Sequence, residues 1–183
     1  MYGLINRAIQ ELISDQYGET TWKEIKQKAQ VDVDNFVAMS TYPDEVTYRL
    51  VEAASKILGL SENQIFEAFG EYWVLYTAQE GYGPLLDAAG DTFVDFLQNL
   101  NDLHARVSIS MPDLKPPKFM CSDINGDSMR LHYYSERTDL TSLVIGLLKG
   151  LGKKFKTPIE IRLDKSKEAG SDHDEFLITI LKE

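Results

Sequence analysis

The chain has 183 residues, a formal net charge of −10 at neutral pH and a single cysteine, Cys121. The acidic charge argues against nucleic acid and anionic membranes as partners, because both need basic patches, and one cysteine excludes an internal disulfide framework and suits a reducing compartment. The sequence shows no signal peptide and no apolar run of the ~20 residues that cross a bilayer, so we expect a cytoplasmic protein.

Helical spacing of apolar residues runs through the first part of the chain. It predicts helices over residues 1–18, 21–29 and 45–58. Ser61, with a glutamine three residues later, is a capping box for the next helix. That helix has an aromatic side that includes Trp73. Such a side indicates either ordinary core or the wall of a small-molecule pocket.

A helix predicted over residues 92–107, capped by Asp91, carries His104 on its apolar face. By default such a histidine is a core residue that bonds a backbone carbonyl. The alternative is a ligand of haem iron, which needs only one imidazole in an apolar wall, whereas a zinc site needs three or four ligands. The other histidines give weaker signals. His132 has no acidic or cysteine partner at ligand spacing, and His173 lies in a charged loop that only weakly indicates metal binding.

Three prolines make residues 111–118 a rigid, extended linker. We place a subdomain boundary there, within a single domain that spans residues 1–183. The expected parts are a helical subdomain over about residues 1–110 and an α+β subdomain over about residues 111–183.

Beyond the linker, the period of the apolar residues changes from that of a helix to that of a strand. Strands are predicted over residues 119–124 and 129–135, on either side of an Asn-Gly turn signal. A helix follows over residues 141–155, and two strands with alternating apolar residues come after it. The predicted fold class is therefore α+β, with helices first and then a four-stranded antiparallel sheet plus helix.

The second strand of the first hairpin is predicted to place three polar side chains on one face. Side chains alternate along a strand, so Tyr133, Ser135 and Arg137 should project together. These donors suit carboxylates or a phosphate; the alternative is a polar face in contact with solvent. Together with His104 they predict a haem site, because haem offers an iron to the imidazole and two propionates to the donors.

The sequence resembles the haem nitric oxide/oxygen binding (H-NOX) family, which is related to the haem domain of soluble guanylate cyclase. The resemblance covers the whole chain and implies the H-NOX fold, with haem b (iron protoporphyrin IX) buried between the two subdomains. It rests on five segments: Met1-Tyr2-Gly3, Asn101-Asp102-Leu103-His104, Pro116-Pro117, Tyr133-x-Ser135-x-Arg137 and Ile145-Gly146-Leu147-Leu148-Lys149-Gly150.

The resemblance also implies roles for individual residues. His104 would be the proximal iron ligand, and Tyr133, Ser135 and Arg137 would hold the propionates. Pro117 would push the haem out of planarity. Nitric oxide would weaken the bond between His104 and the iron, and the two subdomains would then shift relative to each other. The expected setting is a bacterial signalling system, in which the partner is a separate histidine kinase or cyclic-dinucleotide enzyme.

For the gas-binding side, the resemblance places Leu143 where oxygen-binding members carry a distal tyrosine. Dioxygen takes up partial negative charge on binding and gains from a hydrogen-bond donor, whereas nitric oxide stays nearly neutral. An apolar pocket should therefore exclude dioxygen and still admit nitric oxide and carbon monoxide. Trp73 departs from the pattern, because its indole N–H could donate, but we expect it to fill space. The pocket is expected to consist of Ile5, Ile9, Trp73, Leu143 and Leu147.

These observations favour a gas sensor over an enzyme. A haem peroxidase or oxygenase would need a distal acid–base pair, and the expected distal set contains no histidine or arginine. Two non-enzymatic functions stay open besides nitric oxide sensing. One is that of an oxygen-binding haem protein, and the second is that of a haem-free scaffold that holds an apolar ligand or a partner helix in the same cavity.

Overall fold

The computed structural model describes residues 1–181, apart from the side chain of Gln79. Helices fill the first part of the chain, and an antiparallel sheet and a long helix fill the last part. The helices are α1 (Gly3–Tyr17), α2 (Glu19–Lys28), α3 (Asp44–Leu58), α4 (Glu62–Tyr72), α5 (Ala78–Asp87), α6 (Phe93–Gln98), α7 (Leu100–Ser110) and α8 (Thr141–Lys154). The strands are β1 (Lys118–Ser122), β2 (Ser128–Tyr134), β3 (Ile159–Lys165) and β4 (Asp174–Ile180).

Local signals explain where several helices begin and end. The Ser61 capping box is present, with both of its hydrogen bonds to Gln64. The helix predicted over residues 92–107 is instead two helices, because the backbone leaves the helical region at Asn99, whose side-chain amide donates to the Ala89 carbonyl at 2.9 Å. Its cap is Thr92 and not Asp91, since the Thr92 hydroxyl accepts from the Asp95 N–H. This break gives His104 a short helix of its own.

Between α4 and α5, a π-helical turn spans Trp73–Thr77. Such turns inside helices are frequent at functional sites, because one extra residue per turn redirects the side chains. Tyr82, inside α5, has non-helical dihedral angles (φ −135°, ψ 15°). The helical run from Glu62 to Asp87 therefore contains two irregularities, and both Trp73 and Tyr82 line the cavity described below.

The four strands form one antiparallel sheet in the order β1-β2-β4-β3. Both predicted hairpins are present, and β2 and β4 pair in the middle of the sheet. In this register Tyr133 faces Phe119 on β1 and Asp174 on β4. The strand β2 ends at Tyr134, so Ser135 and Arg137 lie in the turn that follows. The prediction that both lie on the strand, which rested on the alternation of side chains, is therefore wrong.

The helix α8 crosses α4 at very short range. A Cβ atom on Gly146 would lie 2.0 Å from the Glu67 carbonyl oxygen, and one on Gly70 would lie 2.4 Å from the Leu143 carbonyl oxygen. Only glycine lets two backbones approach this closely. The crossing fixes α8, and with it Leu143, against the helical part of the chain.

Buried apolar residues form two clusters. The first takes its members from residues 8–69 together with Leu140, and the second from residues 74–178, with Trp73 packed against both. The helices α6 and α7 thus contribute to the same cluster as the sheet. The two buried clusters divide the chain near Trp73. The subdomain boundary that the sequence places near residue 110 stays a prediction. Within residues 1–181, no helix is both long and apolar enough to span a membrane.

Candidate functional site

A cavity of about 360 Å³ lies where the two clusters meet. This volume falls in the range of roughly 300–1,000 Å³ that is typical of small-molecule sites. Most of its wall is apolar. It is lined by the start of α1, the π-helical turn, α5, α7, the proline linker, the end of β2 and α8. Segments that are distant in sequence therefore contribute to one site.

His104 lines this cavity from α7. Burial lowers the pKa of its imidazole, and the nearby Pro117 carbonyl opposes that effect to a smaller extent. Its Nδ1 atom is buried and has no hydrogen bond of good geometry to any described residue. An unpaired buried polar atom costs about 1–3 kcal/mol, so Nδ1 needs an acceptor, and the nearby Pro117 carbonyl can be one. If Nδ1–H donates to the Pro117 carbonyl, Nε2 is the nitrogen left for a metal.

The helix that carries His104 is held to the sheet by a reciprocal pair of hydrogen bonds. The Asn101 side chain donates to the Phe119 carbonyl at 2.6 Å and accepts from the Phe119 N–H at 3.0 Å. The rings of His104 and Phe119 lie 5.9 Å apart, and those of Phe119 and Tyr133 lie 5.4 Å apart. A continuous aromatic contact thus connects the imidazole to β2. Among the α7 residues, only Leu103 is buried.

The structure brings Tyr133, Ser135 and Arg137 together at the cavity, and we name them the strand-turn wall. Burial raises the pKa of Tyr133, while the Ser135 hydroxyl beside it lowers that pKa by less. Tyr133 therefore stays a neutral donor at physiological pH. The Ser135 hydroxyl accepts from the Arg137 N–H at 3.1 Å, which shapes the turn. The three side chains keep the donor chemistry predicted for them, although they do not share a strand face.

Sequence reasoning missed the carboxylate that positions Arg137. The Arg137 guanidinium donates from Nε to Asp44 at 2.7 Å and from a terminal nitrogen to the Lys115 carbonyl at 3.1 Å. Asp44 also accepts from the N-terminal ammonium of Met1. Burial alone would raise the pKa of Asp44, but the hydrogen bonds from Met1 and Arg137 outweigh it and lower that pKa. Asp44 lies 93 positions from Arg137, so no local pattern could have revealed the pair.

The helical wall of the cavity contains Ile5, Leu143 and Leu147. These three residues line the cavity, but Ile9 does not. Ile9 is fully buried in the first cluster, because the cavity touches only the first turn of α1 and Ile9 lies one turn further along. Ile9 therefore belongs to the buried core, and its place in the gas pocket stays a prediction.

Two side chains with unused hydrogen-bond donors also line the cavity. Trp73 and Tyr82 both line it, and neither side chain makes a hydrogen bond to any residue that the structure describes. Burial raises the pKa of Tyr82, so its phenol stays protonated. Sequence reasoning considered Trp73 and missed Tyr82. The signal was the irregular Gly-Tyr-Gly-Pro segment in an otherwise helical region.

The residues present fit a haem. His104 offers a neutral imidazole from an apolar wall, as haem iron requires. The strand-turn wall offers a guanidinium and two hydroxyls, which suit two carboxylates, and Pro117 lines the cavity near His104. His104 comes from α7 and Pro117 from the proline linker. The strand-turn wall comes from the end of β2 and the turn after it.

Comparison with known proteins agrees with this chemistry. A family model described as Haem-NO-binding (HNOB) matches residues 2–163. The chain is 30% identical over its whole length to the soluble guanylate cyclase gcy-33 of Caenorhabditis elegans, of which it covers 19%. It is 27% identical over 155 residues, 85% of the chain, to the soluble guanylate cyclase 89Db of Drosophila melanogaster, of which it covers 23%. The chain thus spans about one fifth of the length of these relatives.

Solved structures show the same fold. An H-NOX protein from S. oneidensis in the Fe(II)NO ligation state aligns with a TM-score of 0.91 at 21% identity over 100% of both chains. An NMR structure of the Shewanella oneidensis H-NOX domain in the Fe(II)CO state gives a TM-score of 0.88 at 21% identity, again over 100% of both chains. An unliganded Fe(II) H-NOX protein from K. algicida gives 0.86 at 22% identity over 100% and 98%. At these identities the likeness concerns the fold alone.

Proposed function

Because this chain belongs to the Haem-NO-binding (H-NOX) family and forms a haem gas-sensing domain of that family, we propose that it senses nitric oxide in preference to dioxygen. The proposed cofactor is haem b, and the proposed gases are nitric oxide and carbon monoxide. The observation that carries the proposal is the imidazole of His104, kept neutral by burial, in the wall of a cavity whose helical side is apolar.

Haem, when bound, supplies the iron at which a diatomic gas binds. His104 would hold that iron, and Tyr133, Ser135 and Arg137 would hold the propionates. Because Asp44 and the Lys115 carbonyl already orient Arg137, little side-chain entropy remains to be lost when a carboxylate arrives. Pro117, at the end of the rigid linker, would keep that side of the cofactor close to α7.

Selectivity would come from the helical wall. Ile5, Leu143 and Leu147 have no hydrogen-bond donor in their side chains, and Leu143 stands where the family resemblance implies the tyrosine of oxygen-binding members. Since dioxygen gains from a donor and nitric oxide does not, an apolar wall favours nitric oxide.

A second candidate function, oxygen binding, is favoured by one specific observation. Trp73 and Tyr82 line the cavity, and the indole N–H and the hydroxyl have no hydrogen-bond partners among the described residues. Either group could donate to dioxygen. A donor of this kind contributes about 0.5–1.5 kcal/mol, which corresponds to roughly a two- to tenfold change in affinity.

The experiment that separates these functions is a visible spectrum of the ferrous protein before and after exposure to air. We expect a Soret band, a nitrosyl and a carbonyl spectrum, and no lasting oxygen complex. A stable oxygen complex would overturn the selectivity proposal. In that case Trp73→Phe and Tyr82→Phe identify the donor, since only the variant that lacks it should lose the complex. A protein that stays colourless after reconstitution with haem would instead support the haem-free scaffold.

We also propose that α7 transmits the signal. It is short, contributes only Leu103 to the buried core, and is joined to β1 by the Asn101–Phe119 hydrogen bonds. Loss of the bond from His104 to the iron would leave this helix with few restraints. A separate protein, of the histidine kinase or cyclic-dinucleotide enzyme class, would read the shift. We do not expect catalysis by the chain itself.

This transmission can be measured by hydrogen exchange of the α7 amides. Nitric oxide should increase exchange in α7 more than carbon monoxide does, and Asn101→Ala should increase it without any gas. Equal exchange of α7 in the nitrosyl and carbonyl forms would exclude the helix as the moving element.

A further inference from the structure

We propose that His132, His173 and Glu175 form a binding site for a divalent transition metal ion, of which zinc is the best-suited example. The three side chains lie on the face of the sheet that points away from the cavity, because His132 alternates with the cavity-lining Tyr133 on β2. One ligand atom from each residue lies within 4.8 Å of the other two. The site is separate from the haem site and does not depend on its function.

The strand register brings the three residues together. His132 on β2 lies directly opposite Glu175 on β4. His173 comes two residues before Glu175, so both side chains share one face of the chain as it enters β4. In the sequence, His132 had no partner at ligand spacing, because the partner is 43 residues further on and only the pairing of β2 with β4 supplies it.

The distances fit a tetrahedral ion. Zinc ligands at about 2.0–2.1 Å from the metal lie about 3.4 Å from one another. His132 Nδ1 lies 2.9 Å from His173 Nε2 and 3.6 Å from Glu175 Oε2, values on either side of that spacing. Two imidazoles and one carboxylate are a common zinc set that leaves a fourth position for water.

The outer nitrogens of both imidazoles already have partners. His173 Nδ1 lies 2.7 Å from Asp172 Oδ1, and His132 Nε2 lies 2.9 Å from the Ser122 hydroxyl. A carboxylate can only accept, so a neutral His173 that bonds Asp172 carries its proton on Nδ1, and the Nε2 lone pair is then directed toward His132. Metal-binding histidines characteristically have such second partners, which set the tautomer and the ring orientation. The Tyr134 ring, stacked on His173 at 4.3 Å, holds that imidazole in place.

Burial and charge also bear on the site. His173 and Glu175 are buried, and the side chain of His132 is 17% exposed, so an ion could enter from the His132 side. Two cations compete for the carboxylate: Lys165 bonds Glu175 Oε2 and Arg130 bonds Oε1. The Lys165 side chain is 54% exposed and can move into solvent, whereas Arg130 can stay on the oxygen that the metal does not use.

The competing lysine provides a sharp test. The haem-loaded full chain is dialysed against increasing ZnCl2, and bound zinc is measured by elemental analysis. We expect one zinc ion per chain at this site. His132→Ala and His173→Ala should each weaken that binding by at least about tenfold. Lys165→Met should tighten it, because the carboxylate oxygen then becomes free.

A matched control removes a lysine-paired carboxylate elsewhere. Glu67 pairs with Lys149 on the surface of the helices, and Glu67→Gln should leave zinc binding unchanged. Thermal unfolding gives a second measurement that does not require counting ions: zinc should raise the melting temperature of the wild-type protein and of Glu67→Gln, but not of His132→Ala. The proposal is overturned if the wild-type chain takes up no zinc, or if His132→Ala and His173→Ala bind it as tightly as the wild type.

Discussion

The strand-turn wall and the helical wall of the cavity solve different physical problems. The strand-turn wall consists of Tyr133, Ser135 and Arg137. The Arg137 guanidinium donates to Asp44 and to the Lys115 carbonyl, and the Ser135 hydroxyl accepts from the Arg137 N–H. The helical wall has apolar side chains and a backbone held at short range by the glycine crossing of α4 and α8. One wall is preorganised by hydrogen bonds and the other by packing.

This difference separates retention of a cofactor from selection of a gas. Polar groups that are fixed before binding can hold carboxylates at low entropic cost, and they do not need to touch the gas. An apolar wall contributes little to holding the carboxylates, but it decides which gas finds a donor. The comparison predicts that variants of the two walls affect different measurements.

The largest effect is expected for His104, which belongs to neither wall. His104→Gly should reduce haem content to roughly a tenth or less of the wild-type value, because the one proposed protein bond to the iron is lost. Added imidazole should restore the Soret band, since it can occupy the space left by the side chain. Far-UV circular dichroism serves as the control for folding. Unchanged haem content without imidazole would exclude His104 as the ligand.

Gly146→Ala tests the packing beneath the helical wall. The added methyl group would lie 2.0 Å from the Glu67 carbonyl oxygen, so the helices must separate at a cost of about 3 kcal/mol in the free energy of unfolding. Gly81→Ala is the matched control, because the added Cβ would meet nothing within 4 Å. This substitution should stabilise the helix by about 0.8–1 kcal/mol. Urea denaturation measures both. Equal stabilities would mean that the crossing relaxes freely.

Arg137→Ala tests the strand-turn wall. Loss of a charge-assisted hydrogen bond costs about 1.5–3 kcal/mol, so haem should dissociate roughly ten- to a hundredfold faster into an excess of an apo-globin acceptor. Arg137→Lys keeps the charge but not the planar fork, and it should give an intermediate rate. The preference for nitric oxide over dioxygen should not change in either variant. A change in preference with unchanged haem loss would reverse the roles assigned to the two walls.

The smallest effect concerns Asp44, which fixes Arg137. Its pKa is lowered in the folded state, so its contribution to stability is present above its ordinary value of 3.8 and is lost as pH falls through the lowered pKa. Because the side chain is 34% exposed, the contribution should be about 1 kcal/mol or less. Chemical denaturation between pH 3 and pH 6 should show a shallower acid loss for Asp44→Asn than for the wild type. Identical pH profiles would show that the pair does not couple to folding.

The elements were predictable because their signals are local. Helical periodicity, the Ser61 capping box and the Asn125-Gly126 turn depend on residues within one or two turns of each other, and the same spacing placed His104 on an apolar face. The misplaced features depend on distant contacts. The break at Asn99 follows from a bond to Ala89, and the place of Ser135 and Arg137 in a turn follows from where β2 stops pairing with its neighbours.

The sequence by itself determined the α+β class, the succession of helices and strands, and the residue types needed for a haem site, because these follow from periodicity and side-chain chemistry. Only the tertiary structure decided which of those residues meet. The pairing of β2 with β4 joins His132 to Glu175, and the packing of α3 near the turn after β2 joins Asp44 to Arg137. Such contacts depend on how the whole chain folds back on itself, and no local pattern encodes them.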